Sequence, residues 1–144
     1  MVEEELTFSV IGAFFEVYNT LGHGFLEHLY VVALERELLA KDHHVAREVS
    51  VPVFYKGYEL GRQRLDMIVD EKLVVETKSS YVLPREAKAQ VYNYLKATGL
   101  EVGLLLHFGP EANFYRLDFR QKPGGLASMR KGRTDKTDSR DKND

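Results

Sequence analysis

Asp66 and, ten residues later, Glu76-Thr77-Lys78 are residue types suited to phosphoryl chemistry. Side chains on a strand alternate between faces, so Glu76 and Lys78 project from the same side. Asp66 falls on the preceding strand. A short turn between the two strands makes them antiparallel neighbours and lets the three groups converge. Two carboxylates offer hard oxygen ligands for Mg²⁺ or Mn²⁺. A lysine beside them can orient a water or stabilise charge developing on a phosphoryl group. Together they are a minimum kit for metal-assisted phosphodiester hydrolysis. An acid two positions before a lysine is also common on exposed strands, where it forms a weak surface pair. Leu73, Val74 and Val75 argue for a central strand instead, where charges need partners or a metal.

Two further groups could serve the same site. In Gly24-Phe25-Leu26-Glu27-His28-Leu29-Tyr30, Gly24 permits a tight helix entry. Glu27 and Tyr30 then lie next to each other on the helix surface. Glu27 flanks the apolar stripe and should be partly buried and aimed at the sheet. The alternative is an ordinary first-turn glutamate interacting with the helix dipole. Gln90 and Tyr94, at i and i+4, form the second group. Gln90 interrupts an apolar helix side, and a buried amide there could orient a carboxylate, touch a phosphate or bond to backbone. Arg64 shares the face of Asp66 and could contact a phosphate or pair with Glu27 or Asp66.

These residues need elements to hold them. Helical spacing of Leu6, Val10, Phe14, Val17 and Leu21 predicts a helix over 4–20. Phe8, Ile11, Phe15 and Tyr18 form a second apolar face, which predicts a well-buried helix. Gly22-His23-Gly24 breaks it, and a second helix runs over about 26–41. Alternation predicts strands over 45–55, 58–69 and 73–78, with turns at Lys56-Gly57 and Asp70-Glu71. Pro84 suits the first turn of a helix that runs to Thr98 and ends at Gly99. The apolar run 102–108 reads as a strand covered on both faces, and 113–119 as a last strand. The order α-α-β-β-β-α-β-β predicts an α/β fold of α+β character, with a mixed sheet and helices packed against it.

The chain has 144 residues, 44% hydrophobic, which fits one globular domain. That domain is expected over 1–121. Residues 122–144 turn polar and basic and are expected to be a disordered tail. The tail holds seven Lys/Arg against four Asp/Glu, while residues 1–121 hold thirteen against eighteen, net −5. An acidic body argues against tight non-specific binding to nucleic acid, yet allows a local basic groove. Absence of cysteine excludes disulfides and thiolate zinc sites. With no apolar run of about 20 residues and an acidic N-terminus, a soluble cytoplasmic protein with no membrane role is expected. The histidines do not show zinc-ligand spacing, although His23 or His28 could add a metal ligand. No nucleophile elbow, P-loop or dinucleotide fingerprint is present.

Taken together, the pattern resembles the GxxExxY proteins, a branch of the PD-(D/E)XK nuclease superfamily. Gly24, Glu27 and Tyr30 match the naming pattern, Asp66 the metal-binding aspartate, Glu76-Thr77-Lys78 the (D/E)xK element, and Gln90 to Tyr94 a QxxxY element. The resemblance covers about residues 6–119. It implies a restriction-endonuclease-like core and a Mg²⁺- or Mn²⁺-dependent nuclease. Asp66 and Glu76 would be metal ligands, joined by the Thr77 carbonyl. Lys78 would be the catalytic lysine and Glu27 the helix acid that completes or orients the metal site. Tyr30, Gln90 and Tyr94 would support the site or contact substrate. The expected partner is nucleic acid, DNA ahead of RNA, with a homodimer open. The competing expectation is a non-catalytic nucleic-acid- or protein-binding module that keeps the fold. A third is hydrolysis of another phosphate ester.

Overall fold

A computed structural model describes residues 2–120. The expected tail at 122–144 lies outside the described residues. Eight elements follow in the expected order: α1 (Glu4–Leu21), α2 (Glu27–Ala40), β1 (Val45–Tyr55), β2 (Tyr58–Val69), β3 (Leu73–Ser79), α3 (Ala87–Thr98), β4 (Val102–Phe108) and β5 (Ala112–Asp118). The strands form one five-stranded mixed sheet in sequence order. Only β3 and β4 run parallel, joined through α3.

Apolar patterning accounts for the layers. All seven residues of β4 are buried, as a strand covered on both faces must be. Leu73 and Val75 of β3 join Phe14 of α1 and Tyr30 and Leu34 of α2 in one core. Val74, pointing the other way, packs with Val91 and Leu95 of α3 in a second core. Gly103 is needed where α3 crosses β4, because a Cβ there would meet the Val91 side chain at 2.7 Å. Phe108 stacks on Tyr30 with ring centroids 4.0 Å apart and meets Phe14 edge-on at 4.9 Å.

Two local expectations need correction. Phe8 is 79% exposed, so the second apolar face of α1 is not fully covered. Ile11, Phe15 and Tyr18 on that face only border the core. Helix α3 begins at Ala87 rather than Pro84, whose carbonyl instead accepts the Ala87 N–H in a preceding turn. The turns hold. Lys56 and Gly57 both have positive φ, as a two-residue type I′ hairpin turn requires, and Asp70 and Glu71 also have positive φ within the three-residue connection from Val69 to Leu73. Among the described residues no helix is long and apolar enough to cross a membrane.

Candidate active site

The site forms where β2 parts from β3. Main-chain pairing between the two covers Met67 to Val69 against Val75 to Leu73 and stops there. The Asp66 N–H donates instead to Glu76 Oε1 at 3.3 Å. In return Asp66 Oδ2 accepts the Thr77 N–H at 2.8 Å and the Thr77 hydroxyl at 3.0 Å. Thr77 is wholly buried, so its side chain holds the aspartate in one orientation. That role requires knowing the offset between the strands, which the sequence does not carry.

Glu76 is 4% exposed. Burial, followed by the neighbouring charge of Asp66, pushes its carboxyl up to about 8 from an ordinary 4.5, with Lys78 pulling the other way. Lys78 Nζ sits 3.6 Å from Glu76 Oε2, its side chain 18% exposed. Burying a carboxylate beside a second carboxylate is unfavourable, and one lysine offsets it only in part.

Glu27 arrives from the first residue of α2. Its carboxylate accepts the Ser79 N–H at 3.3 Å, just past Lys78. Burial and then the Asp66 charge raise its pKa, against Lys78 and this bond. The preceding turn explains the spacing of glycine, glutamate and tyrosine. Gly24 has φ 118°, outside the range of residues with a Cβ. Tyr30 is fully buried; its hydroxyl donates to the Gly22 carbonyl at 2.5 Å and accepts the Phe25 N–H at 3.2 Å. Tyr30 therefore closes the turn that aims Glu27. Ser79, unanticipated from sequence, ties the same turn to β3 through its hydroxyl, 2.6 Å from the Phe25 carbonyl.

On the opposite helix, Tyr94 is 3% exposed. Burial and then the charges of Glu76, Asp66 and Glu27 push its phenol up to about 12, which ties it electrically to all three carboxylates. Gln90 is half-buried rather than enclosed. Arg64 does not reach Glu27 or Asp66; its side chain is 72% exposed and pairs with Glu48 at 3.6 Å. The exposed His23 faces the Phe108 carbonyl at 3.2 Å. His107, unremarked in the sequence, is buried beside Lys78 in register. Its ring nitrogen lies 3.0 Å from the Ser80 carbonyl and so anchors the segment that follows the lysine.

Among the described residues no three His, Asp or Glu side chains form a ready metal cage. Mg²⁺ is commonly held by one or two carboxylates with several waters retained, so a full cage is not needed. The Asp66 and Glu76 pair fits such an ion: both are oxygen donors, and a divalent ion would take the place of the proton that burial leaves on Glu76.

The sequence profile of the PD-(D/E)XK nuclease superfamily matches residues 4–117. The chain belongs to that superfamily. Its α-α-β-β-β-α-β-β order and five-stranded mixed sheet are consistent with the restriction-endonuclease-like fold. A crystal structure described as that of SSO0001 is similar to this PD-(D/E)XK chain with a TM-score of 0.53 and 24% identity, over 71% of this chain. The chain spans about half, 52%, of the length of that structure, and the likeness extends to fold alone. Among curated proteins nothing matches the chain.

Proposed function

We propose that the protein is a nuclease dependent on Mg²⁺ or Mn²⁺, of the GxxExxY branch, that hydrolyses phosphodiester bonds in nucleic acid, with DNA the preferred polymer over RNA. The observation that carries this reading is the state of Glu76: a carboxyl 4% exposed, pushed up to about 8, beside a second carboxylate and a lysine. A structural core has no use for such a cluster, whereas a divalent ion would discharge it.

In this reading Asp66 and Glu76 hold the metal, with the Thr77 carbonyl and Glu27 completing its surroundings. A divalent ion bound there supplies Lewis acidity toward a phosphate oxygen and lowers the pKa of water. The chain's own residues do the rest. Thr77 fixes the orientation of Asp66. Lys78, facing Glu76, stabilises charge that develops on the phosphoryl group. Tyr30 and Ser79 set the approach of Glu27. Tyr94, its phenol pushed up to about 12, stays neutral at physiological pH and keeps a proton to donate near the three carboxylates.

The test is cleavage of labelled single- and double-stranded DNA and RNA in Mn²⁺, Mg²⁺ or EDTA, alongside Lys78→Ala purified identically. Cleavage that needs metal and vanishes in the variant supports the nuclease. Cleavage unchanged in Lys78→Ala, or none with any polymer and metal, removes it in favour of a non-catalytic module.

A further inference from the structure

The β1–β2 hairpin continues past the candidate site as a two-stranded arm. Its strands pair from Val45 with Val69 out to Tyr55 with Tyr58, whereas β3 accompanies only the base. The two-residue Lys56-Gly57 turn closes the tip. Between the arm and α3 lies a groove of about 500 Å³, with Pro52, Phe54 and Gln63 on one wall and Asn93 and Lys96 on the other. Both walls lead to the candidate site. Gln63 is three residues from Asp66 on β2, roughly 10 Å at the rise of a strand. Asn93 adjoins Tyr94 on α3.

Charge separates this region from the rest of the molecule. Residues 49–65 and 85–98 hold six Lys/Arg against two Glu, net +4. The other described residues hold seven against sixteen, net −9. Arg62 and Arg64 do have carboxylate neighbours, Glu59 and Glu48, but both arginines are well exposed. Pairs of that kind are weak in water and can give way to a phosphate. The arm also exposes aromatic rings: Phe54 is 60% exposed, Tyr55 57% and Tyr58 76%. Lys56 Nζ stands 5.3 Å from the Tyr55 ring centroid.

We propose that the groove between the β1–β2 arm and α3 binds the single-stranded segment of nucleic acid that continues from the candidate metal site. Phe54 and Lys96 line the groove itself, and the arm beside it carries the other exposed rings and cations, an arrangement suited to unpaired strands because every base offers a face to stack on. A duplex hides those faces and leaves the rings of the arm without a partner. The inference deepens the nuclease reading and rests on it for the path of the strand.

Binding separates the two. Fluorescence anisotropy of labelled oligothymidylate, and of a duplex carrying the same strand, is measured with the full chain in EDTA, where no cleavage can intervene. The single strand binds more tightly than the duplex. The double variant Phe54→Ala/Tyr58→Ala weakens it by about five-fold or more, the loss expected for stacking. Both side chains are exposed, so the variant keeps its fold. Arg62→Glu is a second, independent probe and weakens the single strand in the same direction. Phe8→Ala, equally exposed but on α1, leaves binding unchanged. A duplex bound as tightly as the single strand, arm variants without effect, or no binding of oligothymidylate overturns the inference. Single-strand binding that depends on the arm, without metal-dependent cleavage, overturns the nuclease reading alone.

Discussion

Asp66 and Glu76 are joined through the backbone rather than through their charges: the Asp66 N–H donates to Glu76 Oε1 at 3.3 Å, at the point where β2 and β3 cease to pair. A carboxylate takes the place of a main-chain partner. The two acids are thereby held side by side by the same strand divergence that opens the site, and Thr77 closes the arrangement from the other direction.

Removing single charges tests the chemistry. Asp66→Asn and Lys78→Ala are expected to keep the secondary structure and to lower metal-dependent cleavage by at least about a hundred-fold, the scale for loss of a group acting on developing charge. Circular dichroism and a cleavage time course on the same preparations check this.

Glu76 makes the metal-free protein sensitive to pH. Its folded pKa of about 8 lies above the ordinary 4.5, so between those values the folded state keeps a proton that the unfolded chain has released. Stability contributed by this group therefore falls as pH rises from 4.5 to about 8. Glu76→Gln removes the dependence and stabilises the metal-free protein by about 2–4 kcal/mol at pH 8, and far less at pH 5. Urea denaturation in EDTA at the two pH values measures it. Equal gains at both would refute the assignment.

Divalent metal offsets that difference. Mg²⁺ or Mn²⁺ at about a hundred times its dissociation constant raises the stability of the native chain by about 2.7 kcal/mol and leaves Glu76→Gln nearly unchanged. Thermal melts across a metal titration show whether the gain belongs to this carboxylate.

Thr77→Val keeps the N–H bond to Asp66 and deletes the hydroxyl bond. It is expected to cost about 1–2 kcal/mol in stability and to weaken metal affinity about ten-fold or more, as loss of a ligand-orienting partner does. Calorimetric titration with Mn²⁺ reads the affinity. An affinity equal to that of the native chain means that Asp66 is held without the hydroxyl.

Tyr30→Phe tests the turn. The ring stays stacked on Phe108 while the bonds to Gly22 and Phe25 are lost. The variant should lose about 1–2 kcal/mol and, by freeing the turn before Glu27, lower cleavage without abolishing it. A variant of native stability would mean that the turn is set by Gly24 alone.

Much of this was readable from periodicity. The strand bearing Glu76 and Lys78 was legible because Leu73 to Val75 demand a central position, and the turns because Gly57 and Asp70 tolerate positive φ. The start of α3 was not: Pro84 is a good first-turn residue, but residues 80–86 form bends and a turn after β3 and the helix begins after them. Arg64 was misplaced for a related reason. Alternation along β2 puts it with Asp66, but Glu48 has φ 51° and presents its carboxylate to Arg64 instead. Thr77 was named only for its carbonyl, and its hydroxyl bond to Asp66, like the bonds of Ser79 and His107, was silent because it depends on strand offsets, which single-chain patterning does not encode.

The site is also divided in how far along the chain its parts are drawn from. Asp66 and Glu76 are ten residues apart and meet across one hairpin, whereas the bond from Ser79 to Glu27 closes a separation of 52 residues. Short loops close at small entropic cost and long ones later. The pair of acids and its lysine can thus assemble early and survive local opening of the α1–α2 layer, whereas Glu27 would leave the site in any such opening. An otherwise native molecule that has breathed there would retain three of its four site residues and lack the fourth, so slow amide exchange at Thr77 should outlast that at Ser79.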